Sequence, residues 1–595
     1  MTAADIRAVL VAGTALLIAV LGEVAYPEVY LVAGLVLTAT AMWWAHAEVG
    51  LLAPDEKTGL VFLIWGLIAV AASSGNLFAS KTTMASWGAA YLIWIVVSRA
   101  GLQGKRVVGF LLLGGGGLAA SGLLAEYSGS LIPRVGGLAE NPNLTVALIA
   151  PVAPLAFVVL GRRSWVAAVA LLLSTSVFLT GSRAGAIAVA LVAVILCPPG
   201  RWRKVVLSFG GLLVASALMW RFIANPEPLA WHRWYIWGAV LDLIRDNPLW
   251  GIGAGDFGEA AGPYRLAHLG GIGVWGHVIG AAESMILGLA ARVGLPGLLL
   301  VLAWSALWLG RFRYFSRSVV AAIGAICTMG VFHDFLAEPA VLWWWAVVFG
   351  FVTPRFHRRP ADFPRSSNWI RLSVALAIGG LSAWALVQPV LAEVIGRWSG
   401  PATPHLIRRV VRVEPWSDEA LVWRLEGLLQ SPEWNWEDVG EALDLSHRLV
   451  QVTPGAASAW NLRASVFARL VEEFGVSKST LIEGRDAYRR AQDLEPHLPW
   501  YPYRWALMER RVGNLQGARI LTLRAVESEP SFVRGWLLMA RLELDRGDLE
   551  AARRAFERVR TEVARGTGFA KSAYDIDLLV APEWQIITLE RELQE

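Results

Sequence analysis

The sequence predicts an all-α protein in two parts: a polytopic transmembrane helix bundle followed by a soluble α-solenoid of tetratricopeptide type. Three observations predict it. Hydrophobic residues make up 55% of the chain and charged residues only 17%, with a mean hydropathy of +0.49, a composition that belongs to membrane proteins rather than soluble globules. Apolar runs long enough to span a bilayer, roughly 17–25 residues each, recur up to about residue 392 and then stop. Beyond residue 400 the pattern changes to short amphipathic helices rich in charge, with a repeat of tetratricopeptide length.

In the first part, 1–392, about thirteen runs qualify as spans by length. They centre near residues 15, 37, 66, 91, 114, 151, 173, 191, 213, 295, 327, 346 and 382. No A-x-A-like cleavage site follows the first run, so it reads as a retained span. Cations divide the connecting loops into two sets. Arg99/Lys105/Arg106, Arg162/Arg163, Arg201/Arg203/Lys204, Arg311/Arg313/Arg317 and Arg355/Arg358/Arg359/Arg365/Arg371 fall on one side, and the alternate loops carry few. The positive-inside rule makes the first set cytoplasmic. The N-terminus is then cytoplasmic too. A large loop over 221–280 and everything after about 392 then lie on the outer side. The thirty Trp residues suit either interfacial anchoring or packing. Cys197 and Cys327 are the only cysteines and support neither a disulfide framework nor a thiolate metal site. A net charge of +5 is too small to imply nucleic acid.

In the second part, 400–595, segments 504–530 and 538–559 align at an offset of 34. Ala506 pairs with Ala540, Gly513 with Gly547, Leu515 with Leu549 and Ala518 with Ala552, and Pro496 and Pro530 share the spacing. Small residues allow close helix packing, and Gly marks the turn within each helical pair, so these are tetratricopeptide-like repeats. Their concave surface suits a protein partner.

The outer loop contains RWYIWGAVLDLIRDNPLWGIGAGDF, Arg233 to Phe257. Ile236, Val240, Leu243 and Ile244 share one side of a helix over 234–246 whose other side is polar, the pattern of a helix lying at the membrane–water interface. Asn247-Pro248 stops it. GIGAG follows a helix and opens a loop, so it is not a dinucleotide fingerprint, which follows a strand and opens a helix.

This stretch, with Arg233, Trp237, Pro248, Gly251, Gly253 and Phe257, resembles the O-antigen ligase and polymerase family of membrane glycosyltransferases. Three more segments agree in order: RVGGLAENPNLTVALIA (134–150), LTGSRAGAIAVAL (179–191) and ESMILGLAARVGLPGLLL (283–300). The resemblance covers roughly residues 130–350. It implies transfer of a glycan from an undecaprenyl-diphosphate donor to an acceptor hydroxyl on a glycan, lipid or protein, with membrane lipids around the site. One departure stands out. Ligases of the family carry His-Ser or His-Asn eleven residues before the Gly matching Gly294, and this chain has Glu283-Ser284 there, with His277 slightly upstream.

Such a transfer needs cations to stabilise the departing diphosphate and a base for the hydroxyl proton. Guanidinium groups bind phosphate oxygens as a fork, so neither a metal nor another cofactor is expected. Arg183, in a tight turn between spans, and Arg233 are the first candidates for the diphosphate, followed by Arg134 and Arg265. Glu283, at the outer mouth of a span, is the first candidate base, with His277 as its alternative. His333, in VFHDFLAEP, is placed to line the cavity. Two other readings stay open: a protein O-oligosaccharyltransferase, and a non-enzymatic transporter or flippase of lipid-linked glycans.

Overall fold

The computed structural model describes the chain apart from residues 22–26, 49–51, 74–76, 127–140, 162–163, 198–199, all but isolated positions of 201–231, 256, 265–279, 313–315, 355–367, all but 394 of 392–417, 476, 567–580 and 595. Among the described residues the regular elements are helices and no strand occurs. Among the described residues, six helical segments are long and apolar enough to cross a membrane: Ala3–Val20, Glu28–Ala45, Leu102–Glu126, Pro142–Val159, Met285–Leu309 and Leu372–Leu391. Four shorter apolar helices accompany them, Trp165–Leu179, Arg183–Leu196, Arg317–Phe332 and Pro339–Val352. Helices Pro54–Ala72 and Leu77–Ser98 occupy two further expected positions. The expected span near 213 lies almost wholly outside the described residues.

Several helices are short or broken for visible reasons. Pro339–Val352 has Trp343, Trp344 and Trp345 all buried, so it faces helices on every side and need not match the lipid thickness. Each indole N–H reaches a backbone carbonyl of a neighbouring segment: Trp343 to Ser86 at 3.1 Å, Trp344 to Leu148 at 3.0 Å and Trp345 to Ala147 at 2.8 Å. Trp65 does the same to Val293 and Trp87 to Leu336. Many of the Trp residues are therefore staples inside the bundle. Between helices in lipid, packing and hydrogen bonds replace the hydrophobic drive, and an indole supplies both.

The bundle has two charged ends. At one, Asp55 and Glu56 begin the Pro54–Ala72 helix. Arg311, just beyond Met285–Leu309, pairs with Asp55 and lies 3.6 Å from Glu56, and Arg99 pairs with Glu56 at 2.8 Å. Lys105 donates to the carbonyls of Phe351 and Thr353, and Asp5 accepts the N–H groups of Gly101 and Gly104. At the other end lie Glu283, just before Met285–Leu309, and His333, just after Arg317–Phe332. A 25-residue helix is about 37 Å long, so the two groups are a membrane thickness apart. Arg99, Lys105 and Arg311 thus stand at one end and the candidate site at the other, as the division of loop charges predicts.

The C-terminal helices run from Asp418–Leu429 to Glu583–Gln594 and pair as Ala457–Phe474 with Lys478–Leu494, Trp500–Arg511 with Leu515–Ser528, and Val533–Asp545 with Leu549–Gly566. Gly513 and Gly547 hold φ of +81° and +80° in the turns within pairs, which only Gly adopts without strain. Ala506, Ala540, Ala518 and Ala552 are fully buried between helices. The 34-residue offset extends to contacts. Arg485 forks onto Glu509 at 2.7 and 2.6 Å, and Arg519 bonds Glu543 one period later. The repeat domain also touches the segment between His232–Asp246 and Met285–Leu309: a Cβ on Gly262 would meet Glu495 Cγ at 2.6 Å.

Candidate active site

Four segments far apart in sequence build the end of the bundle opposite Arg99 and Arg311. The first two are short motifs. Asn141 caps Pro142–Ile149 by accepting the Asn143 N–H at 3.0 Å. Ser182 caps Arg183–Leu196 by accepting the Gly185 N–H at 3.2 Å and donates to Asn143 Oδ1 at 2.9 Å. Gly185 permits this approach, because a Cβ there would press on Val146 and Val177. The N-P-N and S-R-A motifs are therefore one structural unit whose product is the placement of Arg183. Arg183 is the first residue of its helix, where the dipole disfavours a cation. The helix dipole alone does not ask for an Arg there.

The third segment is the helix His232–Asp246 with the Gly-rich turn after it. Val240, Leu243 and Ile244 are buried together with Phe257, Ala290 and Ala291. The apolar stripe expected to face lipid is thus covered by the Met285–Leu309 helix, and Trp234, Leu241 and Leu249 remain exposed. The turn locks into that helix where it breaks: Val293 and Gly294 are non-helical, with φ of +71° at Gly294. The N–H groups of Ile252 and Gly253 donate to the carbonyls of Ala291 and Arg292 at 2.9 and 3.0 Å, and Leu295 donates to Pro248 at 2.9 Å. A Cβ at Gly251 or Gly294 would collide with the facing backbone. Gly251 of the GIGAG motif and Gly294 thus serve backbone-to-backbone packing.

The fourth segment is the stretch His333–Leu336. It brings His333 against Glu283 and Arg233. Arg233 Nη2 lies 3.3 Å from Glu283 Oε2 and 3.4 Å from His333 Nδ1, and His333 Nδ1 lies 3.6 Å from Glu283 Oε2. Trp237 Nε1–H donates to the Glu283 carbonyl at 3.4 Å. Glu283 holds φ of +51°, alone among the described non-Gly residues, a strained conformation costing about 1–3 kcal/mol. Strain of this kind persists where the surroundings impose it.

Electrostatics follow from burial. Burial pushes the Arg233 guanidinium below its ordinary value; Glu283 opposes the shift and the charge of Arg183 adds to it. Arg183 and Arg233 are thus close enough to repel. Burial also holds the His333 imidazole below 6.5; its hydrogen bond to Glu283 opposes this and Arg233 reinforces it. His333 is therefore neutral at pH 7 and able to accept a proton. Arg134, Arg265 and His277 lie outside the described residues. Among the described residues no group of three or more His, Cys, Asp or Glu has the spacing to hold a metal.

Sequence reasoning passed over Arg292. It is buried, in an ion pair with Asp334 at 2.6 Å, and its guanidinium lies 5.0 Å from the Phe257 ring. The signal was available: Arg292 is the only charged residue in the 25-residue helix Met285–Leu309, and an ionisable residue in such a span is costly unless it serves something.

Fold and site together define a multi-pass membrane protein with a helical-repeat domain, one end of whose bundle gathers two guanidinium groups, a carboxylate and an imidazole. An O-antigen ligase domain is recognised at residues 168–302, where the chain matches the family model described as O-Antigen ligase. The match spans Arg183, Arg233, Glu283 and Arg292 and ends before His333. At the level of that family it supports a glycosyltransferase-type role in O-antigen assembly. No curated protein matches the chain. Solved structures similar to it include one of MamA (15% identity, 28% of this chain and 89% of that chain, TM-score 0.24) and one of PilW, a widely conserved type IV pilus biogenesis factor (16% identity, 34% and 89%, TM-score 0.24). A human IFIT1 dimer is also similar (12% identity, 50% and 72%, TM-score 0.23).

Proposed function

We propose that the protein is a glycosyltransferase of the bacterial inner membrane that moves a glycan from an undecaprenyl-diphosphate donor to an acceptor hydroxyl in polysaccharide assembly. The end of the bundle bearing Glu283 and His333 then faces the periplasm, and the end bearing Arg99 and Arg311 faces the cytoplasm. One observation carries the reading: Arg233 stands beside a carboxylate–imidazole pair at one end of the bundle, within electrostatic reach of the second guanidinium group, Arg183.

The chemistry assigns itself to these groups. The acceptor oxygen attacks the anomeric carbon, a C–O bond forms, and the bond to the diphosphate oxygen breaks. Arg183 and Arg233 hold the diphosphate and stabilise the charge that develops on it, which needs no metal. The hydroxyl proton passes to the Glu283–His333 pair. Glu283 is engaged by Arg233, so it orients the imidazole and stabilises its protonated form, in the manner of a carboxylate–histidine dyad. His333, neutral through burial, takes the proton. The family resemblance, not geometry, keeps Arg134 and Arg265 as further candidates for the diphosphate and His277 as the alternative base. The repeat domain, in contact with the outer loop through Gly262 and Glu495, is placed to bring a protein partner or the acceptor to this face.

The test is reconstitution of the full chain in liposomes with a lipid-linked glycan and acceptor. Glycan transfer is expected, unaffected by chelators, and a His333→Gln variant should lose about 10²–10⁴-fold in turnover. Movement of the lipid-linked glycan across the bilayer with no glycosidic bond formed would instead identify a flippase. Transfer to Ser or Thr of a protein would identify an O-oligosaccharyltransferase.

A further inference from the structure

Arg292 and Asp334 have no part in the chemistry above, yet they form the most deeply buried ion pair at this end of the bundle, with side-chain exposures of 2% and 0%. Their surroundings tie them to the site. Asp334 Oδ2 accepts from Arg292 Nη1 at 2.6 Å and from the Ala282 N–H at 3.4 Å, and Oδ1 accepts from the Leu336 N–H at 3.2 Å. Ala282 immediately precedes Glu283, and Asp334 immediately follows His333. One carboxylate therefore grips the backbone beside both members of the pair. Gly288 leaves it room, since a Cβ there would strike Asp334 Oδ2. Arg292 is anchored in turn: its carbonyl accepts from the Gly253 N–H at 3.0 Å, and its guanidinium lies over Phe257. The pair thus links the Gly-rich turn, the helix break and the two loops that carry Glu283 and His333.

We propose that Arg292 and Asp334 are positioning residues: together they impose the left-handed backbone of Glu283 and set its distance from the His333 ring. The proposal rests on the Glu283–His333 pair acting in glycan transfer. A pair that merely held helices together would need no bond to Ala282. Buried ion pairs are poor stabilisers and are replaced by apolar residues of similar size at little loss, so retention of this one asks for another reason.

That property also provides the test, in the reconstituted full-length chain with lipid-linked glycan. The double variant Arg292→Met, Asp334→Leu removes both charges and the acceptor for Ala282. It is expected to express and melt like the wild type and to keep its KM for the donor within about threefold. Its kcat should fall about 10–100-fold, the cost of misplacing catalytic groups by an ångström or less. Asp334→Glu keeps the ion pair but displaces the oxygens by about one bond length; it serves even if the double variant fails to fold, and is expected to lose about tenfold in kcat with KM unchanged. Wild-type kcat in either folded variant overturns the proposal. Absence of glycan transfer by the wild type would overturn the functional reading instead, and the two failures are distinct.

Discussion

Arg183 and His333 carry the predictions that belong to single residues. At Arg183, Lys preserves the charge and loses the planar fork, so it cannot grip two phosphate oxygens at once. Arg183→Lys is expected to insert and fold normally while losing at least about tenfold in transfer; full activity in this variant would remove Arg183 from the site. At His333 the sign of the pH effect follows from burial. The imidazole is held below 6.5, and the neutral form is the one that accepts a proton. Transfer should therefore rise with pH through a limb below 6.5 and stay level through neutrality. His333→Gln should abolish that limb along with most of the activity. A limb above 6.5 would mean that another group takes the proton.

At the scale of elements, the interlock between the Gly-rich turn and the broken helix is what brings Arg233 to the site. Gly294 combines φ of +71° with a facing carbonyl, that of Leu249, which a Cβ would strike. Gly294→Ala must therefore open the interlock or strain it, at about 1–3 kcal/mol for the backbone alone. The expected outcome is a lower melting temperature in detergent and a loss of transfer larger than the loss of folded protein, because Arg233 moves with the turn. Gly238, with open space around it, serves as control: Gly238→Ala should melt at or above the wild-type temperature, since Ala favours a helix interior by about 1 kcal/mol.

At the scale of the whole molecule, Gly262 packs against Glu495, so the segment that carries Gly262 and the repeat domain are expected on one side of the membrane. Tyr264 Oη–H donates to Asp246 at 2.7 Å, so the loop that meets the repeats also braces the helix bearing Arg233. Ala260→Cys and Pro530→Cys, each made in a chain lacking Cys197 and Cys327, should both react with an impermeant maleimide added from the periplasmic side. Labelling of only one would contradict the shared side. A Gly262→Cys, Glu495→Cys chain should form the corresponding cross-link under mild oxidation.

The sequence by itself determined the helical class, the two charged ends and the 34-residue period, because each is a local or periodic demand. A bilayer requires apolar length, a charged loop resists translocation, and a repeated helical pair needs small residues and a left-handed turn at constant spacing, as at Gly513 and Gly547. The candidate residues Arg183, Arg233, Glu283 and His333 were also legible one at a time, since charge at the edge of an apolar run is conspicuous. Their assembly was not. Arg233, Glu283 and His333 are each 50 positions from the next, and nothing periodic connects them. The Asn143–Ser182 bond, the backbone interlock at Gly251 and Gly294, and the Arg292–Asp334 pair are long-range contacts between backbone or buried polar groups. Only the tertiary structure decided these, because a polar group taken out of water must find its partner wherever the fold places it.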